Sequence, residues 1–188
     1  MIDKINFKGH LTIQAIDKSG NIIDQWADNN MIMENARINM AELISGMSTG
    51  NYINKIVLGT EGNKTGDYLT PKDETDGFVK ERTQLFSEES GGYHYAINFS
   101  STGSNGNFTL LSEDDSSTGE SSVINVVQTN SDVTYTIDLP GLNGNNTGTV
   151  VYTEAALYAG TQIFSMKCFK GKIKDESVQL RVVWKLMF

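Results

Sequence analysis

The sequence predicts a mainly β protein, an antiparallel β-sandwich with one amphipathic helix near residues 31–46. Three observations predict it. Apolar side chains alternate with polar ones, most cleanly at Val133, Tyr135, Ile137 and Leu139 and again at Val178, Leu180, Val182, Trp184, Leu186 and Phe188. That is the period of a strand with one buried face. Gly, Ser, Thr and Asn fill the intervals, with 18 Gly and only 2 Pro, a composition of short strands joined by polar turns. One segment alone has a helical period.

Ile5, Phe7, Leu11, Ile13 and Ala15 share odd positions in a first strand, with Gly9 a candidate bulge. Asp17-Lys18-Ser19-Gly20-Asn21 turns the chain into a partner strand, Ile22–Ala27, whose largest side chain is Trp26. The helix follows. Met33, Ala36, Met40, Leu43, Ile44 and Met47 recur every three or four residues, which makes an apolar stripe. Asn29 or Asn30 is the expected cap, and Glu34, Arg37 and Asn39 the expected outer face. Gly46 and Gly50 are stopping points. Further strands are expected at Ile53–Leu58, Phe78–Phe86, Tyr93–Phe99, Val123–Val127, Val133–Leu139, Val150–Tyr158, Ile163–Phe169 and Val178–Phe188. Long polar loops are expected at 59–77 and 100–122, with Pro140–Gly148 a turn-rich connection. The 100–122 stretch holds only a small apolar knot, Phe108, Leu110 and Leu111, too little to offset its ordering entropy. Neither side of it completes a core alone, so residues 1–188 read as a single domain of about nine strands.

Fifteen Lys and Arg against 23 Asp and Glu leave a net charge of −8. An acidic surface disfavours a broad grip on nucleic acid and adhesion to anionic membranes. The one cysteine makes no internal disulfide. No apolar run approaches signal-peptide length or the roughly 20 residues of a membrane helix. The expectation is a chain made in the cytoplasm that stays soluble or is assembled there.

Catalytic residue types are sparse. His10 and His94 are the only histidines, and each reads as a solvent-facing strand residue. Lys167 and Lys170 flank Cys168 and would favour its thiolate, but a small apolar filler is the better reading. Asp73-Glu74-Thr75-Asp76 and Glu113-Asp114-Asp115 offer oxygens to Ca²⁺ without the spacing of a calcium loop. Gly59-Thr60-Glu61-Gly62-Asn63-Lys64-Thr65 lacks the glycine spacing of a phosphate loop and the helix that should follow, and it reads as a strand-ending turn. Asn-x-Ser/Thr triplets at Asn98 and Asn107 mean little without a secretion signal. Seven tyrosines would suit a wet interface or a sugar platform, though half or more fit ordinary sheet positions.

The order of motifs resembles a group of bacteriophage virion proteins from the tail, neck or baseplate. The helix is followed by Ile53-Asn54-Lys55-Ile56-Val57-Leu58-Gly59-Thr60-Glu61-Gly62, with Glu61 where such proteins often carry Gly. Later come Tyr68-Leu69, Glu81-Arg82, Thr153-Glu154-Ala155-Ala156-Leu157-Tyr158, the strand through Phe164-Ser165-Met166, and the closing Leu180-Arg181-Val182-Val183-Trp184-Lys185-Leu186. The likeness runs over most of residues 30–188 and is weakest between 100 and 146. It implies a non-catalytic structural component of a virion, forming a symmetric oligomer with copies of itself and neighbouring virion proteins, assembled in the bacterial host cytoplasm. No cofactor, metal, nucleic acid, membrane or small-molecule substrate is expected. Trp26, Met40, Glu154, Leu180, Val182 and Trp184 are the expected structural residues; a buried Glu154 should hydrogen-bond backbone or pair with Arg82, because an unpaired buried charge is costly, and the pair with Arg82 is the prediction. Phe108, Leu110, Leu111, Tyr93 and Tyr95 are the expected assembly contacts. The alternative is a receptor- or glycan-binding module at a tail fibre tip. A glycan hydrolase lacks a supporting carboxylate motif.

Overall fold

The computed structural model describes residues 7–46, 51–99, 108–111, 122–145 and 148–188. In chain order the elements are β1 (Lys8–Asp17), β2 (Ile22–Ile32), α1 (Glu34–Ser45), β3 (Ile53–Gly59), a 3-10 turn (Glu74–Asp76), α2 (Phe86–Ser90), β4 (His94–Asn98), β5 (Phe108–Leu111), β6 (Val123–Thr129), β7 (Asp132–Leu139), β8 (Val150–Ala159), β9 (Gln162–Lys174) and β10 (Val178–Met187). The fold is mainly β and its strand pairs are antiparallel, as the alternation predicts. The ten strands form one curled sheet in the order β4-β3-β8-β9-β2-β1-β10-β7-β6-β5. They do not separate into two discrete sheets, and β2 is the reason. Its first part pairs with β1, while Met31 and Ile32 at its end pair with Met166 and Ser165 of β9.

Both halves of the sheet supply the main core. The register aligns the buried positions in rows across the strands. Ile13 faces Val182, Val182 faces Ile137, and Ile137 faces Ile124; beside them, Leu11, Trp184, Tyr135 and Val126 form the next row. On the other half, Ile97, Ile56 and Leu157 make an equivalent row. The odd face of β1 and the even face of β10 are therefore the same physical surface. Gly9 lies in regular pairing, and the bulge falls at Ala15/Ile16 instead.

β8 is buried on both faces from Tyr152 to Ala159. A register shift between Tyr152 and Glu154 reverses the side-chain parity. Tyr152, Ala155 and Leu157 consequently line the main core, while Ala156 and Tyr158 join a second cluster with Val57, Phe86, Met166 and Cys168.

Several local expectations are corrected. Residues 78–86 are not a strand: turns lead into α2, because Val79 to Gln84 lacks apolar alternation and the Glu88 carboxylate accepts from the Leu85 N–H at 2.9 Å to start a helix. Asn29 and Asn30 do not cap α1, since β2 runs on through Ile32. The backbone amides of Met33 and Glu34 are satisfied by tertiary contacts, donating to the Phe164 and Lys80 carbonyls at 3.1 Å each. The stripe of α1 is only partly used. Ala36 is buried, Met40 and Leu43 are half-buried, and Ile44 is 84% exposed. Asn39, expected outside, is buried and bonds the Asn51 backbone at 2.7 and 2.8 Å. Gly46 ends the helix at φ 74°; Met47 and Gly50 lie outside the described residues. The apolar knot at 108–111 is strand β5, paired with β6, and not loop.

Candidate functional site

Two motifs far apart in sequence meet. Gly59 at the end of β3 is in register with Glu154 of β8, and Glu154 with Cys168 of β9. The Glu154 side chain is completely buried. It accepts the backbone N–H of Phe86 at 2.9 Å, that of Ser87 at 2.8 Å and the Ser87 hydroxyl at 2.5 Å. The Ser87 Oγ in turn accepts the N–H groups of Thr60 at 2.7 Å and Glu61 at 3.0 Å. Both of its acceptor sites are thus taken, so its proton must point at Glu154. Thr60 Oγ1 donates to the Tyr93 carbonyl at 3.0 Å, and Gly62 N donates to Thr153 Oγ1 at 2.8 Å.

Close approach explains the two glycines. A Cβ on Gly59 would lie 2.6 Å from both Glu154 Oε1 and Ser87 Oγ. One on Gly62 would lie 2.4 Å from the Thr153 carbonyl oxygen. The Gly59–Gly62 turn, the start of α2 and β8 therefore close on one carboxylate. Burial pushes the Glu154 carboxyl up from its ordinary value, while the Ser87 and Phe86 donors pull it down.

Of the two expected ways to satisfy Glu154, the backbone hydrogen bonds are present and the predicted pairing with Arg82 is overturned. Arg82 donates to Glu89 at 2.7 Å and stacks its guanidinium 3.6 Å from the centre of the Phe86 ring. Lys72 also lies over that ring, at 4.0 Å. The backbone donors at α2 satisfy the carboxylate directly, leaving the arginine to hold the outside of the segment. Tyr158 Oη donates to the Glu88 carboxylate, tying β8 to α2 a second time. Burial, reinforced by the charge of Glu154, raises the Cys168 thiol and keeps it protonated. Ser87, Glu154 and Cys168 are each at most 1% exposed. The centre of the cluster is a clasp sealed from solvent.

The remaining expected residues are dispersed. Leu180, Val182 and Trp184 are buried in the main core; Trp26 and Met40 pack half-buried against it. Among the described residues, the Trp184 indole N–H has no partner. Tyr93 and Tyr95 are half-buried and pack against the main core. β4 parity turns Tyr95 and Ile97 inward and His94 outward, and Tyr93 packs 6.3 Å from Tyr152. The exposed tyrosines are Tyr52 and Tyr68. Phe108, Leu110 and Leu111 lie on β5, which with β4 ends the sheet. Asp73 and Asp76 hold Lys64 at 3.1 and 3.2 Å. The Thr75 hydroxyl and Lys64 bring the Asp73 carboxyl down to about 2. Glu113-Asp114-Asp115 lies outside the described residues.

An apolar groove of about 350 Å³ opens between α1 and the main core, lined by Met40, Leu43, Ile44, Tyr52, Tyr135 and Phe188 among others. Burial raises the Tyr135 hydroxyl to about 12. No sequence periodicity announces this groove, because it joins residues from α1, β7 and the carboxyl terminus. Among the described residues, no helix is long and apolar enough to cross a membrane, and no cluster of metal-ligating side chains is present. No family model matches the chain, and neither does a curated protein or a solved structure.

Proposed function

We propose that this protein is a non-catalytic structural component of a phage virion, in the tail, collar, baseplate or fibre attachment, assembling into a symmetric oligomer with copies of itself and neighbouring virion proteins. One observation supports the reading. The segments that carry the resemblance, Leu58–Gly62 and Thr153–Tyr158, close on each other around the buried Glu154. The closing strand places Trp184 in the main core. The shared residue types thus serve a scaffold, as expected of a protein whose task is to hold shape within an assembly. Assembly would take place in the host cytoplasm, without a cofactor or small-molecule substrate.

The test is the composition of particles. Mass spectrometry of purified virions from the source of the chain should detect it at an integral copy number, and its mass in solution should rise with concentration or on adding neighbouring proteins. A chain absent from particles and monomeric under all conditions overturns the reading.

A further inference from the structure

The apolar groove beside α1 has no charged side chain in its lining, although 20% of the chain is charged. Its rim leaves large apolar side chains in water. Ile44 is 84% exposed, Tyr52 74% and Phe188 45%. They lie with the half-buried Met40, Leu43 and Tyr135 around the same space of about 350 Å³. Contiguous apolar surface of this kind marks a contact site.

The start of β1 shows what is placed to cover it. Phe7 stacks on Phe188 with ring centres 4.6 Å apart, and meets Phe164 edge-on at 5.7 Å. Both of these rings line the groove. Lys8 and Met187 are the outermost pair of the β1–β10 ladder, so the residues before Phe7 leave the ladder at the rim of the groove. Residues 1–6, Met1-Ile2-Asp3-Lys4-Ile5-Asn6, lie outside the described residues. Met1, Ile2 and Ile5 are apolar, and Asp3 and Lys4 cancel in charge. Six residues reach at most about 20 Å when extended, enough to pass along a groove of this volume.

We propose that residues 1–6 form a strap that seats Ile2 and Ile5 in the groove of their own chain. An uncharged apolar lining rewards aliphatic side chains and offers no partner to a charged ligand. A second copy or a free peptide must be gathered from dilute solution. The segment joined to Phe7 is held at the rim, at an effective concentration in roughly the mM range, so a modest burial of apolar area is enough to seat it. A second copy would also bring another net charge of −8 to this face. Seated, the strap covers Ile44 and Phe188. Withdrawn, it bares them together, so it sets whether this face is open to another molecule. The inference stands apart from the virion reading.

The test follows the methyl signals of Leu43 and Ile44 and the ring signals of Tyr52 and Tyr135 in the isotope-labelled full chain. Ile2→Ser with Ile5→Ser should shift all of them, whereas Ile22→Ser with Ile23→Ser, at exposed positions of β2, should leave them in place. A nitroxide on Asp3→Cys locates the segment directly, since Cys168 is buried. It should erase the Leu43 and Ile44 methyl signals. Those signals should survive when nitroxide-bearing chains are mixed with isotope-labelled chains that carry no nitroxide. Loss of signal in that mixture gives the groove to a second copy and overturns the proposal. Broadening confined to Asn29 and Asn30, in the hollow on the other side of Phe7, does so as well. So do groove signals unmoved by the Ile2 and Ile5 changes, or moved only by Met47→Ser.

Discussion

Glu154 concentrates the chemistry of the molecule in one side chain. As a carboxylate it meets three donors at once, so Glu154→Gln would turn an amide N–H against an N–H or O–H. A cost of about 1–3 kcal/mol is expected from the donor left unmet. The pH dependence has a definite sign. Burial raises the folded pKa above the ordinary 4.5, so the folded state binds this proton more tightly than the unfolded chain does. The stability Glu154 contributes is full below 4.5 and is lost as pH rises through the higher folded value. The wild-type advantage over Glu154→Gln in melting curves should therefore be largest at low pH and shrink toward that donor cost as pH rises through the window. A difference that widened with rising pH would show that the donors outweigh burial. Trp184 is the other decisive residue. Trp184→Ala should cost about 3–5 kcal/mol by chemical denaturation. Trp184→Phe should cost clearly less, because it removes the unpartnered indole N–H together with the lost contacts.

Among the elements, α2 is the clearest case of structure made by context. Five residues are too short to persist as an isolated helix. It stands because Glu154 holds its first amides, Glu88 bonds Leu85, and Arg82 and Lys72 both lie over Phe86. The Gly59–Gly62 turn depends on the same contacts. Gly62→Ala places a methyl group against the Thr153 backbone, which has nowhere to move within a strand buried on both faces. A loss of about 1–3 kcal/mol is expected, and hydrogen exchange should rise first at Thr60, Glu61 and Ser87. Unchanged exchange there would mean that the turn and α2 are not coupled. By contrast, α1 presents Ile44 and Ile38 to solvent, so Ile44→Ser should leave stability nearly unchanged.

For the whole molecule, the curl of the sheet governs what can be removed. β5 ends the strand order and pairs only with β6, and residues 102–120 outside it carry polar sequence. Deleting 102–120 should leave a cooperative thermal transition and a β-type circular dichroism spectrum, while impairing particle assembly or appendage attachment if the proposed function holds. Loss of folding would place β5 inside the cooperative unit; normal assembly would remove this segment from the contacts.

Strand identity, and the buried face of most strands, were legible from residue alternation alone. Period-two patterns such as Leu11, Ile13 and Ala15 or Leu180, Val182 and Trp184 report burial directly, since one register satisfies them and a shift by one residue inverts them. The burial of Glu154 could also be anticipated from its apolar neighbours Ala155, Ala156 and Leu157. The sequence leaves backbone bonds and Arg82 both open as its partners, and it does not say which backbone. A carboxylate buried beside backbone amides needs no cation, and those amides belong to a helix 68 residues away from it in sequence. The tertiary structure decided that partner, along with the passage of β2 from one half of the sheet to the other. These features depend on which distant backbone groups lie within bonding reach once the sheet has curled, and no local pattern of side chains encodes that distance.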